Sequence, residues 1–198
     1  ESEWNQQGRI LGHADVGLSE LGRRQVELLS TRMAGESIDA AYSSDLSRAV
    51  DTANGMLGER DVPLITDPDL REFSYGAWEG LTLKEVNEQD PVLFDARFTR
   101  GDNAFAAPGG ENSEEILKRV QHFIKGVEER HSPDENLLIV GHGGSIRALA
   151  LCLLGLNDES MWKLRMSNAS VSIISNQSRG RVLELWNDTH HLVGMDEG

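Results

Sequence analysis

The chain has 198 residues, of which 33 are acidic and 19 basic, so its formal net charge is -14 at pH 7. This charge argues against a nucleic-acid backbone or an anionic membrane surface as the main partner. The length suits one domain with a sizeable core, and no apolar stretch is long enough to span a bilayer. The single cysteine, Cys152, excludes a disulfide framework and suits a reducing cytoplasm.

The first part of the chain alternates helix and strand patterns. The stretch "GLSELGRRQVELLSTRMAG" predicts an amphipathic helix capped by Ser19, and "IDAAYSS" predicts a strand. A second amphipathic helix is predicted in "DLSRAVDTANGMLGER", followed by a strand in "VPLITDPDL". Such alternation is typical of an α/β fold.

Residues 81–107 interrupt this alternation, because they carry short helical patches and no strand pattern. We interpret them as a cap inserted over the sheet. A long helix in "SEEILKRVQHFIKGVEER" then leads to "LLIV", a run typical of a strand buried on both faces, and to a helix in "SIRALALCLLGL". "SVSIIS" and "RVLELWN" predict two closing strands.

The predicted fold is therefore α/β: a three-layer sandwich with a mostly parallel central sheet, helices on both faces and a small helical cap insertion. Residues 1–198 are predicted to form one domain.

Polar residues follow several of the predicted strands. His142 stands in "VGHGG" between a strand and a helix N-terminus, where open α/β sheets bind ligands and backbone N–H groups favour anions. Arg48, in the first turn of a helix, can direct its guanidinium to the same edge, and Glu72 lies just past a strand. Taken alone, each residue also fits a packing or surface role.

Other polar residues carry weaker signals. Asn5 and Arg9 stand in a glycine-containing first loop that fits either an anion contact or a solvated surface. Glu79 is predicted to be exposed, and Arg147 is predicted to form a structural salt bridge. The other histidines show no metal-ligand spacing and are predicted to be solvated or packed; they are His13, His122, His131, His190 and His191.

Five motifs occur in order: "ESEWN" with the following "GR", "YSSDLSRAVDTA", "LREFSYGAWEGL", "PGGE" and "GHGGSIRAL". Together they resemble the histidine phosphatase superfamily, also called phosphoglycerate mutase-like, from Glu1 to about Asn168. The resemblance implies a phosphomonoesterase that forms a phosphohistidine, with catalytic roles for Glu72, as general acid, and His142. It also implies phosphate or substrate binding by Asn5, Leu11, Gly12, Arg48 and Gly143.

The resemblance implies neither a metal nor another cofactor. The expected partner is a small-molecule phosphate ester, without nucleic acid or membrane, with a homodimer left open, and the expected location is cytoplasmic. In the family, Arg-His-Gly precedes the residue that matches Glu1, and its histidine is the nucleophile. We therefore expect this segment, and ~4–6 apolar strand residues before it, upstream of Glu1 in the intact protein.

Two other functions stay open: a phosphoglycerate mutase, and a non-catalytic phospho-ligand binding or scaffolding relative without the nucleophile. A mutase needs several positive partners for its anionic substrate. Residues 81–107 instead carry Lys84, Arg97 and Arg100 against Glu85, Glu88, Asp90, Asp95 and Asp102. This composition favours a phosphatase whose leaving group is uncharged or partly apolar. The candidate apolar walls are Phe73, Tyr75, Phe94, Phe98 and Phe105.

Overall fold

A computed structural model describes residues 1–102 and 104–195, so residues 196–198 of the predicted domain lie outside the described part. Its helices and strands in chain order are α1 (Glu3–Gln6), α2 (Glu20–Met33), β1 (Ala40–Ser43), α3 (Ser47–Leu57), β2 (Leu64–Thr66), α4 (Leu83–Gln89), α5 (Pro91–Phe94), α6 (Ser113–Glu128), β3 (Leu137–Val140), α7 (Gly143–Leu154), β4 (Val171–Gln177) and β5 (Gly180–Asp188). Short 3₁₀ helices cover Pro68–Leu70, Gly76–Trp78, Asp158–Lys163 and His190–Leu192, and a π-helical turn covers Asp95–Thr99.

The central sheet is parallel, with strand order β2-β1-β3. Ala41 of β1 lies opposite Leu64 of β2 and Leu138 of β3. The predicted α/β fold with a parallel sheet is confirmed. The two closing strands, β4 and β5, pair with each other in antiparallel orientation and form a separate sheet.

Helices cover both faces of the parallel sheet because neighbouring strand residues point to opposite sides. Tyr42 packs in a core with Phe123 of α6 and Leu149 of α7. Its neighbour Ala41 packs in a second core with Leu29 of α2 and Ala53 of α3. All of β1 is buried, which explains its short run of apolar and small residues.

Residues 81–107 are helical where the pattern predicts helix. Thr82 caps α4 by accepting a hydrogen bond from the Glu85 N–H group, and the Glu85 carboxylate accepts one in return from the Thr82 N–H group. Trp78 is fully buried and packs against this segment through Val86. Arg9 donates to the Gly80 carbonyl and pairs with Glu85, so the first loop is attached to the segment.

A cavity of about 530 Å³ is lined by both sheets. It extends along β3 and the residues that flank it, from Asn136 to His142, and along β4 from Val171 to Ile174. Each of these strands pairs on one edge only within the described residues. The apolar lining includes Leu29, Met33, Leu138, Val140, Leu149, Val171 and Ile173.

Among the helices in the described part of the chain, none combines the length and the apolar character needed to cross a membrane.

Candidate active site

The residues singled out in the sequence converge at one end of the cavity. β3 ends immediately before Gly141 and His142, and β1 ends shortly before Arg48 in the first turn of α3. The carboxyl ends of parallel strands meet at one edge of a sheet, which brings these side chains together. The predicted residues that line the cavity are Asn5, Leu11, Arg48, Glu72, His142 and Gly143. The remaining one, Gly12, reaches the site through its carbonyl oxygen.

Arg48 is a buried cation at this end of the cavity, with only 7% of its surface exposed. Its Nη2 donates to the Gly12 carbonyl at 2.9 Å and its Nη1 to the Ala14 carbonyl at 2.7 Å. Burial lowers the pKa of Arg48, while the negative charge of Glu72 acts in the opposite direction. Both hydrogen bonds go to neutral carbonyls, so the positive charge stays available to an anion.

His142 joins β3 to α7. Its backbone N–H donates to Ser145 Oγ at 3.0 Å, and its carbonyl accepts the first hydrogen bond of α7, from Ile146 at 2.8 Å. The ring Nε2 is buried and has no hydrogen-bond partner among the described residues. Burial, reinforced by the positive charges of Arg48 and Arg119, lowers the pKa of His142 to about 3. The ring is therefore neutral near pH 7 and keeps one nitrogen for a ligand.

Glu72 is held by the start of α7. Its Oε1 accepts hydrogen bonds from the Phe73 N–H group at 2.8 Å and from the Gly144 N–H group at 2.9 Å. A Cβ added to Gly144 would overlap Glu72 Oε1 and the Phe73 ring. The second glycine of "HGG" is thus required for the close approach of this carboxylate to the helix backbone.

Asn5 has its side-chain oxygen engaged in a cap. Asn5 Oδ1 accepts from Ser2 N at 2.9 Å and from Ser2 Oγ at 2.8 Å, which closes a capping box around α1. Because the oxygen is occupied, the amide nitrogen is the atom that can donate to a ligand.

A second layer of residues positions Glu72. Arg119 of α6 donates from Nη2 to the Glu72 carbonyl at 2.9 Å and pairs in bidentate fashion with Glu111 at 2.8 and 3.0 Å. His13 Nε2 lies 2.9 Å from the same Glu72 carbonyl. The sequence analysis did not select Arg119, although it lies beside Val120 on the buried face of α6. Glu111 is part of the "PGGE" motif, but the sequence analysis assigned it no role of its own.

Two predictions about single residues are wrong. Glu79 is half-buried rather than exposed, because its Oε1 accepts from the His13 N–H group at 2.9 Å and from the Tyr75 N–H group at 3.0 Å. Arg147 forms no ion pair within the described residues; its Nε donates to the Leu164 carbonyl at 2.6 Å. His13, predicted to be solvated or packed, is partly buried beside the Glu72 carbonyl.

The arrangement suits a phosphate group. Arg48, the Asn5 amide and His142 Nε2 provide donors, and the N-terminus of α7 adds backbone N–H groups and a favourable helix dipole. In the described part of the chain, His, Cys, Asp and Glu side chains form no group of three or more that could hold a metal ion.

The chain is similar in sequence to known proteins over almost its whole length. The profile of the "Histidine phosphatase superfamily (branch 1)" matches residues 1–189. Phosphoserine phosphatase 1 of Hydrogenobacter thermophilus is 33% identical over 192 residues, which cover 97% of this chain and 90% of the relative.

Solved structures extend the similarity to the fold. A mycobacterial glucosyl-3-phosphoglycerate phosphatase in complex with VO3 has a TM-score of 0.87 and 31% identity, covering 96% of this chain and 95% of its own. A phosphoserine phosphatase mutant from Entamoeba histolytica in complex with phosphoserine has a TM-score of 0.83 and 26% identity, covering 98% and 95%. The two structures therefore share their fold with almost the whole of this chain.

Proposed function

The chain belongs to the histidine phosphatase superfamily, branch 1, and from this premise we propose that it hydrolyses the phosphate monoester of a small metabolite through a phosphohistidine intermediate. The observation that carries the proposal is the meeting of Arg48, the neutral ring of His142 and the carboxyl group of Glu72 at one end of the cavity. In a chain of net charge -14, this end concentrates groups that bind an anion.

In this proposal the transferred phosphoryl group contacts Arg48, His142 Nε2, the Asn5 amide and the backbone N–H of Gly143. Charge on the phosphoryl oxygens is stabilised by these fixed donors, which need little rearrangement during the reaction. Because the ring of His142 is neutral and already buried, it donates one hydrogen bond without a change of protonation.

The nucleophile in the proposal is the histidine of an Arg-His-Gly segment upstream of Glu1. The cavity along β3 supports this part, because an extended strand between β3 and β4 would pair with the free edges of both. A strand running parallel to β3 would end beside His142, where the phosphoryl group binds. Single-domain organisation belongs to the same proposal, since this strand would join the two sheets into one.

The proposed reaction has two steps. The histidine ring nitrogen attacks phosphorus in line, the bond to the ester oxygen breaks, and Glu72 donates its proton to that oxygen. Water then attacks the phosphohistidine, Glu72 takes a proton from the water, and phosphate and the histidine are released. The second step thus restores to Glu72 the proton that the first step took from it.

The experiment is a phosphate-release assay with the intact protein on a panel of phosphate monoesters, combined with trapping of the enzyme by denaturation during turnover. We expect phosphate release and a protein-bound phosphate that is stable to alkali and labile to acid, as a phosphohistidine is. A bound phosphate with the opposite stability would contradict the proposed intermediate.

The same assay separates the alternatives when 3-phosphoglycerate is included with and without a bisphosphate primer. Rapid formation of 2-phosphoglycerate with negligible phosphate release would identify a mutase. Binding of phosphate esters without any turnover by the intact protein would identify a non-catalytic relative. A cytoplasmic location is part of the proposal, because a chain with one cysteine cannot form an internal disulfide.

A further inference from the structure

Arg97 is a buried cation that the proposed reaction does not use. It lies on the π-helical turn Asp95–Thr99 and is only 5% exposed. Its Nη1 and Nη2 atoms are both buried and have no hydrogen-bond partner among the described residues. A buried guanidinium without an acceptor is costly, so a site of this kind is suited to an anion that enters with a ligand.

The acidic residues of the same segment do not neutralise Arg97. Asp95 accepts from Arg100 Nε at 2.9 Å, on the exposed side of the turn. The others have different partners in the described structure: Glu85 pairs with Arg9, Glu88 with Lys84, Asp90 accepts from Trp78 Nε1, and Asp102 accepts from the Ala104 N–H group. The acidic composition of residues 81–107 therefore does not describe the charge on the buried side of this segment, where Arg97 lies.

Aromatic rings surround the Arg97 guanidinium. Its central carbon lies 4.6 Å from the centroid of Phe73 and 4.6 Å from that of Trp162. These contacts stabilise the cation and fix its plane, and the rings of Phe73 and Trp162 carry no oxygen acceptor. Tyr75, whose ring centroid lies 5.9 Å away, brings a hydroxyl group that interacts with Arg97, but this group is neutral and leaves the guanidinium without a counter-ion among the described residues. Phe73 directly follows Glu72, so this aromatic wall adjoins the proposed proton donor.

Arg147 is a second cation beside Trp162, and it is half-buried. Its guanidinium carbon lies 5.7 Å from the Trp162 centroid. A Cβ added to Gly143 would lie 3.1 Å from Arg147 Nη1 and 3.6 Å from Glu72 Oε2, so the guanidinium and the carboxylate flank the same backbone position. Like Arg97, Arg147 has no ion pair in the described part of the chain.

We propose that Arg97 and Arg147 bind a second anionic group, a carboxylate or a phosphate, carried by the leaving group of the substrate. The inference rests on the proposed function, because Glu72 can protonate the leaving oxygen only if the leaving group lies beside it. The guanidinium fork binds either anion through paired hydrogen bonds. The substrate class is therefore a phosphate ester with a second negative group, which replaces the expectation of an uncharged leaving group.

The test is calorimetric titration of the intact protein with phosphonate analogues, which bind without being hydrolysed. The analogue of 3-phosphoglycerate carries a carboxylate where that of glycerol 3-phosphate carries a hydroxymethyl group, and a bisphosphonate of the same length carries a second phosphonate. The protein should bind one of the two doubly anionic ligands at least about tenfold more tightly than the glycerol 3-phosphate analogue. Which one it prefers identifies the second anionic group.

Arg97→Met keeps an unbranched side chain against the rings and removes the charge. It should abolish this preference and leave the affinity for the glycerol 3-phosphate analogue within about threefold. Arg97→Lys should keep part of the preference, and a normal melting curve for either variant shows that it is folded. The matched control is Arg100→Met, directly after the same turn, which should behave like the unchanged protein because Arg100 is exposed.

Equal affinity of the unchanged protein for all three ligands, or an equal loss for all three in Arg97→Met, would overturn the inference. Neither result depends on turnover. A protein that shows the preference but releases no phosphate from any ester would contradict the proposed function while supporting the second anion site.

Discussion

Backbone atoms hold the two groups that matter most for the proposed chemistry. Glu72 accepts from the N–H groups of Phe73 and Gly144, and Arg48 donates to the carbonyls of Gly12 and Ala14. Within the described residues neither side chain forms a close ion pair, so each can respond to a bound phosphate ester. Removal of the acid and removal of the anion binder should therefore have different kinetic effects.

Replacement of the acid is the first test at this scale. Glu72→Gln should lower turnover by ~10²–10⁴-fold for esters with poor leaving groups, because general acid catalysis contributes about that much. An activated aryl phosphate needs no proton on its leaving oxygen, so its turnover should fall much less. Steady-state kinetics on both substrates provide the measurement, and equal losses would argue against a leaving-group acid.

Residues proposed to contact the phosphoryl group should affect every substrate. His142→Ala and Arg48→Ala should each lower kcat/KM by at least about 10²-fold for alkyl and aryl phosphates alike, because the transferred group is common to both. Arg24→Ala, an exposed arginine on α2, is the control. A His142 or Arg48 variant with full activity would remove that residue from the proposed site.

The burial of His142 also makes stability depend on pH. Its pKa falls from 6.5 to about 3 on folding, so between these values the unfolded chain binds a proton that the folded chain does not. Stability must then decrease as pH falls from 6.5 towards 3, by up to about 1.4 kcal/mol per pH unit from this residue. In His142→Gln the unfolded chain has no ring at this position to bind the proton. The free energy of unfolding of this variant should therefore depend less on pH in urea titrations between pH 7.5 and 5. Parallel curves for the two proteins would contradict the effect.

At the scale of elements, the start of α7 determines where the acid lies. Gly144→Ala should displace Glu72 or Phe73, because the new methyl group would occupy their space. We expect about 1–3 kcal/mol of destabilisation in chemical unfolding, together with a loss of turnover on poor leaving groups. Gly35→Ala is the matched control, since a Cβ there meets nothing within 4 Å. Equal stabilities for the two variants would show that the backbone of α7 can shift to accommodate the methyl group.

Strands β1 and β3 were predictable because short apolar runs between helices mark buried parallel strands, and the residues that follow such strands meet at one edge. This is why His142 and Arg48 could be placed together from the sequence. The burial of Arg97 could not be predicted, because a π-helical turn departs from the periodicity on which helix patterns rely. Arg147 donates to a main-chain carbonyl. Since every residue has such a carbonyl, the sequence does not indicate this partner.

At the scale of the whole molecule, charge is distributed unevenly. The net charge is -14, yet Arg48, Arg97, Arg119 and Arg147 are all largely or partly buried around the proposed site. Composition alone indicates only that the protein as a whole does not attract polyanions. The electrostatic potential at the end of the cavity depends on which charged side chains the fold buries there. Of these four arginines, only Arg48 could be placed at the site from the sequence pattern.

An anionic substrate that diffuses towards this protein is repelled by the exposed carboxylates before it meets the buried arginines. Dissolved ions screen the distant repulsion, over a Debye length of about 30 Å at 0.01 M and about 8 Å at 0.15 M, much more than they screen contacts inside the pocket. Encounter should therefore become faster as sodium chloride is added. We expect kcat/KM to rise by roughly two- to fivefold over that range, measured in stopped-flow assays at low substrate concentration. A steady decrease would mean that the positive pocket already dominates the field outside the protein, and the enzyme would then work best in dilute buffer.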